Sequence, residues 1–207
     1  MTVRFGPGAP FNYVQGRLGE VQEWLNWPFS KNGRGVSSSW VRIPPSPQMV
    51  EIHPFGSFVP KNARYLILGS FTGKQSYDWF YGTKRNQFWR IMEGVYGLKL
   101  DNKKAKQDLF TKLGIAITDI IYQCERRKGT NLDANLINIV YNTKAIEEIL
   151  EKNKIDKIYF SSRFVETKFR KLFKTKVELI TLPSPSPRYA RMGFGEKIKR
   201  YRELLPP

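Results

Sequence analysis

The sequence predicts an α/β fold, a three-layer α/β/α sandwich on a central parallel four-stranded sheet, with an irregular Trp/Pro/Gly-rich N-terminal extension. Three observations predict it. From Arg64 onward, short apolar runs alternate with amphipathic stretches, and strand, crossover helix, strand repeated in this way builds a parallel sheet covered on both faces. Residues 1–60 lack that alternation and are broken by Gly, Pro and Ser. The 207 residues, 41% of them hydrophobic, suffice for one well-buried domain and leave a second one cramped.

Taken in order, residues 17–26 read as a short helix, because Leu18, Val21, Trp24 and Leu25 recur at helical spacing. Pro28, Gly33, Gly35 and the serines at 37–39 then mark loop, and Pro44, Pro45 and Pro47 an extended connection. Trp24, Trp27 and Trp40 need burial or a ligand, so residues 1–60 are expected to pack as an extension on a domain of residues 61–207. Strands are expected at 65–68, 115–121, 157–160 and 177–182, and helices at 85–96, 104–113, 143–153, 163–173 and 196–205. Ligands of such sheets bind outside the carboxyl ends of the strands. That rule gathers residues 69–81, 122–131, 161–163 and 183–189 around one cleft.

Charge narrows the partner. Lys and Arg number 35 against 18 Asp and Glu, a formal net charge of +17, which attracts polyanions and favours nucleic acid over an anionic membrane surface. No apolar run is long enough to span a bilayer and no charged-then-apolar leader pattern opens the chain, so a cytoplasmic, nucleoid-associated monomer with no membrane partner is expected. Cys124 and His53 each stand alone, which excludes an internal disulfide and a multi-cysteine metal site. No metal and no cofactor are expected, although composition leaves an all-carboxylate magnesium site open.

Residues 66–89 carry the strongest motif: an apolar strand, the loop Gly69-Ser70-Phe71-Thr72-Gly73-Lys74, an aromatic patch, and Arg85-Asn86 at a helix start. The loop is not a Walker A loop. Three residues rather than four separate its glycines, and Gln75 follows Lys74 where a Ser or Thr must bind magnesium. Backbone turning at Gly69 and Gly73 can approach a phosphate or a planar base, and Tyr77, Trp79, Phe80 and Tyr81 offer stacking faces. A second motif, residues 182–190, has Pro183, Pro185 and Pro187 holding an extended loop stiff around Ser184 and Ser186. As a pattern alone, that loop also reads as a polyproline-type surface segment or partner ligand. Asn86 alone reads first as a helix cap.

Both motifs resemble those of the uracil-DNA glycosylase superfamily, most closely its hypoxanthine-DNA glycosylase branch, over about residues 52–200. In that branch a strand ending in Gly-Ser precedes an aromatic pair and an Arg-Asn-x-Phe-Trp run, matched here by Arg85-Asn86-Gln87-Phe88-Trp89. The resemblance implies a monofunctional DNA glycosylase that flips a deaminated or otherwise modified base from double-stranded DNA, hydrolyses its N-glycosidic bond and leaves an abasic site. Asn86 would orient water and help stabilise the developing sugar cation, since the first loop has Phe71 and Thr72 where related branches place a carboxylate or amide. Amides near Ser70, Phe71, Thr72 and Gly73 would bind the base, with Phe71 or Tyr77 on its face and Tyr81, Thr83, Lys84 and Ser161 around it. Ser184 and Ser186 would contact phosphate, with Arg85 and Arg191 adding positive charge, and Arg188 or Tyr189 would wedge the duplex.

Asp119 and the Cys124-Glu125-Arg126 run also match that branch, and Asp119 reads equally as cleft floor or as a cap. Asn131 and Asp133 read first as a cap or turn, Phe88 and Trp89 as core, and His53 as structural. The basic run Arg188, Arg191, Lys197, Lys199, Arg200 and Arg202 reads as phosphate-contacting charge beside the wedge. Thr83, Lys84 and Ser161 depart from the branch pattern. With the extra N-terminal segment, they suggest a pocket reshaped for another base, such as a glucosylated hydroxymethylcytosine of phage DNA, which would make the protein an antiphage defence enzyme. A protein that kept the fold and charge but only binds DNA is the remaining alternative.

Overall fold

The computed structural model describes residues 49–74, 78–127 and 130–207. The expected N-terminal helix and the tryptophans at 24, 27 and 40 lie outside them, as does Tyr77. Among the described residues, the strands are β1 (Val50–Ile52), β2 (Tyr65–Gly69), β3 (Ile115–Asp119), β4 (Ile121–Arg126), β5 (Leu136–Tyr141), β6 (Lys157–Phe160) and β7 (Glu178–Thr181). The helices are α1 (Phe88–Tyr96), α2 (Lys103–Leu113), α3 (Thr143–Lys152), α4 (Arg163–Leu172) and α5 (Phe194–Leu204).

The main sheet is parallel throughout, in the order β3-β2-β6-β7. Both of its faces are buried, so its central strands are apolar at successive positions, as Leu66, Ile67 and Leu68 in β2 show with no exposure at all. Alternate side chains divide between two cores. Ile67, Ile115, Ile117 and Tyr159 meet α1, α2 and α5 through Phe88, Ile91, Phe110 and Tyr201. Leu66, Leu68, Ile158 and Phe160 meet α3 and α4 through Ile146, Ile149, Val165 and Phe169. Three layers result, as the sequence predicts.

The helix ends follow local chemistry. Asn102 accepts from the Ala105 amide at the start of α2, and Ser162 accepts from the Val165 amide at the start of α4. Gly114 ends α2 at φ 64, where a side chain would also meet the Asn62 carbonyl. Helix α1 begins at Phe88, three residues later than the pattern predicts, because Arg85 to Gln87 fold as a turn that approaches the loop after β7.

One expected strand is two. Residues 115–121 are apolar but for Thr118 and Asp119 and read as one strand, yet β3 stops at Asp119 and β4 begins at Ile121 in a different sheet. At the junction, Ile120 and Ile121 donate their amides to the carbonyls of Gly69, which ends β2, and of Ser70 just beyond it, where the parallel ladder stops. Strand β4 then pairs antiparallel with β1 and β5 in a three-stranded sheet, which the sequence did not reveal.

Candidate active site

The order β3-β2-β6-β7 puts a topological switch between β2 and β6. The chain leaves β2 toward the face covered by α1 and α2, and leaves β6 toward the face covered by α4. Adjacent strands whose connections depart to opposite faces open a crevice at their carboxyl ends. A cleft of about 710 Å³ lies there, with Ser70 following β2 and Ser161 following β6 on its walls.

Its rim is built by two clasped segments. Asn86 accepts the Phe88 amide on Oδ1 at 2.9 Å in an Asx turn just ahead of α1, whose N-cap is Gln87 rather than Asn86. That bond fixes the amide plane while leaving its Nδ2 free to donate and its oxygen a second lone pair. Gln87, next in sequence, donates its amide to the Pro185 carbonyl at 3.0 Å. The Pro-Ser loop is held from beneath as well, since Tyr201 of α5 donates to the Pro183 carbonyl at 2.8 Å. Ser184 and Ser186 accept the Ser186 and Arg188 amides on their hydroxyl oxygens, leaving both hydroxyl protons to donate outward. Both serines line the cleft, as do Arg85, Arg188 and Tyr189.

Lys197 was expected among the phosphate-contacting cations, and its place is different. It is 2% exposed, because the amphipathic face of α5 turns it under the loop, where Nζ donates to Gln87 Oε1 at 2.8 Å and to the Ser186 carbonyl at 3.3 Å. Burial lowers its pKa from the ordinary lysine value. Lys197 therefore ties the two rim segments together.

The floor is acidic and hydroxyl-rich. Asp119, at the end of β3, lines the cleft with its side chain only 6% exposed, and its Oδ2 lies 2.8 Å from His53 Nε2. The other ring nitrogen, Nδ1, lies 2.6 Å from the Phe55 carbonyl. Nε2 donates to the carboxylate, while Nδ1 faces the Phe55 carbonyl and, at 3.2 Å, the Phe55 amide, accepting from the amide in the neutral ring and donating to the carbonyl when a second proton charges it. Burial opposes that charge, but the bond and attraction to Asp119 outweigh it and raise the His53 pKa. Ser70 donates to Asp133 Oδ1 at 2.8 Å, and burial raises the Asp133 carboxyl in spite of that bond. Asp133 opens a short 3-10 turn, and Asn131 accepts the Lys74 amide at 2.8 Å, so both also serve as turn-forming groups while facing the cleft.

Tyr81 rises from this floor with a backbone φ of 57, stacked on Phe88 at 4.2 Å between ring centroids. Its hydroxyl is buried and, among the described residues, has no hydrogen-bond partner. Gly69 is forced by the same crowding. A Cβ there would fall inside contact distance of Asp119 Oδ1 and 2.7 Å from the Tyr81 hydroxyl.

Phe71, Thr72, Gly73 and Thr83 complete the wall, and Arg126 donates to the Thr72 carbonyl at 2.7 Å from behind it. Lys84 and Arg191 are exposed and lie off the cleft wall. Trp79 and Phe80, offered by the sequence as stacking faces, are 2% and 1% exposed; Trp79 stacks on Trp89 instead, whose indole donates to the Phe80 carbonyl. Their faces are closed to a base. The His53 to Asp119 pairing spans 66 residues and had no local signal in the sequence.

Among solved structures, the chain is similar to the solution NMR structure of a Methanosarcina acetivorans protein provisionally assigned as a uracil DNA glycosylase. The two share a fold. They are 23% identical, the match covers 75% of this chain and 99% of that one, and the TM-score is 0.56. No protein-family model matches the chain, and no curated protein does. Among the described residues, no group of three or more His, Cys, Asp and Glu side chains is placed to hold a metal ion, and no helix is long and apolar enough to cross a membrane.

Proposed function

We propose that the protein is a monofunctional DNA glycosylase, hydrolysing the N-glycosidic bond of a flipped, deaminated or modified base. The observation that carries the reading is one cleft with a cationic, hydroxyl-bearing rim and a hydrogen-bonding floor, in a chain of net charge +17. Arg85, Arg188, Ser184 and Ser186 on the rim suit phosphate oxygens, and the floor suits the edge of a base. The glycosidic bond breaks with its electron pair leaving on the base nitrogen, and an oxocarbenium-like sugar forms. Water adds at C1′ and gives up a proton, and the base takes one. Asn86 accepts from that water through its oxygen's second lone pair, held in place by the Phe88 amide. The nearby carboxylates favour the positive sugar.

A panel of duplexes containing uracil, hypoxanthine and modified cytosines, assayed for abasic sites, tests the reading. Asn86→Ala should lose turnover while keeping most duplex affinity. No abasic product from any duplex would refute an enzyme and leave a DNA-binding protein of this fold.

A glucosylated hydroxymethylcytosine, and with it a role in defence against phage, is the second reading. At about 710 Å³ the cleft falls in the range of roughly 300–1,000 Å³ that encloses drug-sized ligands, larger than a bare pyrimidine requires. Ser70, Ser162 and Asp133 on its walls are groups that hydrogen-bond a sugar. Excision from glucosylated duplexes at a rate above that from uracil would favour it.

A further inference from the structure

Tyr81 is at odds with its surroundings in two ways. Its left-handed φ of 57 is a genuine outlier for a bulky side chain. Its hydroxyl is buried with no hydrogen-bond partner among the described residues, which costs desolvation without return. The stack on Phe88 accounts for the ring, and a phenylalanine would supply it equally. Among the described residues, the Ser161 side chain is near enough to engage the hydroxyl but makes no well-aligned hydrogen bond to it. The Tyr81 hydroxyl borders the cleft, and beside it sit the Asp119 carboxylate and the Ser161 hydroxyl. Burial, together with the negative charge of Asp119, holds the phenol far above its ordinary pKa, so the hydroxyl keeps its proton. Asp119 Oδ2 is taken by His53, while Oδ1 faces the same point above Gly69 as the Tyr81 hydroxyl. A free donor and a free acceptor thus stand side by side, and Gly69 keeps the space in front of them clear.

We propose that the Tyr81 hydroxyl and the Asp119 carboxylate together read the edge of the flipped base, Asp119 accepting from an N–H and Tyr81 donating to the acceptor next to it. The inference rests on the glycosylase reading and deepens it by naming the edge recognised. His53 is then a positioning residue, since its bond to Oδ2 fixes which oxygen is presented. An N–H beside an acceptor occurs on the lactam edge of uracil or hypoxanthine and on the amino edge of a cytosine.

Single-turnover excision is measured on duplexes carrying hypoxanthine, uracil or 5-hydroxymethylcytosine. Each is paired with the analogue lacking the N–H: N1-methylhypoxanthine, N3-methyluracil and the N4,N4-dimethylated cytosine. The preferred parent base identifies the source of the edge. Tyr81→Phe should slow excision of that base by roughly 10- to 100-fold with Tm preserved, the loss expected when one side of a buried hydrogen bond is removed. Asp119→Asn should bring the ratio of parent to methylated rate toward one. Wild-type rates from Tyr81→Phe, or an unchanged ratio in Asp119→Asn, would overturn the inference and leave the glycosylase standing. If wild type excises no base, it is the glycosylase reading that fails. A binding measurement then decides the inference separately: equal Kd of wild type and Tyr81→Phe for duplexes carrying uncleavable 2′-fluoro nucleotides overturns it.

Discussion

Lys197→Met separates the geometry of the cleft rim from the stability of the fold. The ammonium donates one bond of 2.8 Å to Gln87 Oε1 and a longer one of 3.3 Å to the Ser186 carbonyl, and lies 5.5 Å from the Tyr189 ring centroid. A hydrogen bond from a charged donor contributes about 1.5–3 kcal/mol and a cation–π contact about 0.5–1 kcal/mol. Against this stands the cost of burying the ammonium, several kcal/mol per ion, which a methionine of similar volume does not incur. The two effects nearly offset in global stability, and Tm is expected to move by only a few degrees. They do not offset locally, because what is lost is the tie between the loop and the residue after Asn86. Amide exchange at Ser186 and Arg188 should accelerate, and duplex excision should fall by about 5- to 30-fold, corresponding to roughly 1–2 kcal/mol of lost preorganisation. Hydrogen exchange by mass spectrometry over residues 183–189 and single-turnover kinetics make the comparison. Unchanged exchange and unchanged excision in a folded variant would refute the argument that Lys197 holds the rim.

Gly69→Ala should disrupt the cleft floor, since the added Cβ meets Asp119 Oδ1 and the Tyr81 hydroxyl; overpacking of this kind costs about 1–3 kcal/mol, read as a lower Tm together with weakened excision. The His53 to Asp119 pair makes a signed prediction for pH. Its raised folded-state pKa means that the pair's stabilisation is fully present below about 6.5, the ordinary histidine value, and is lost as pH rises through the folded value. Denaturant midpoints of wild type minus those of His53→Gln should therefore shrink with rising pH, and a difference that grows would contradict the ion pair. At the rim, Arg188→Ala and Tyr189→Ala should slow excision from duplex more than from single strand, because only the duplex has a stack to wedge. Equal losses on both substrates would count against a wedge.

The parallel sheet was legible because its strands are buried on both faces and read as apolar runs, while its helices carry one apolar stripe each. Residues 157–160 come out as β6 with the same bounds, and residues 104–113 as α2 with one residue added. The antiparallel sheet was not legible, for two physical reasons. Strand β4 follows β3 after the single residue Ile120, so two strands in different sheets look like one. Strand β5 contains Asn138 at φ 49, within a ladder whose register shifts twice, which breaks the period-two pattern that marks a strand.

The cleft divides along similar lines. Its location followed from the strand-end rule alone, and the rule needs only the order of elements. Its electrostatics did not follow, because a side chain's charge reads the same on the surface and in the interior. Lys197 sits in a run of exposed cations in the sequence, yet one turn of α5 places it under the Pro-Ser loop. Asp119 lies far in sequence from His53, and their separation leaves no periodicity to find. The chain is strongly cationic overall while its cleft floor carries Asp119 and Asp133, and this opposition has a mechanical consequence. On the proposed reading, the rim would attract the DNA backbone and the floor would repel it, so phosphates would be held at the mouth of the cleft and only an extruded base would reach the bottom. Neutralising the floor with Asp133→Asn should therefore raise affinity for undamaged duplex while lowering discrimination in favour of the substrate base. Tighter binding without loss of discrimination would show that the floor's charge plays no part in keeping the backbone out.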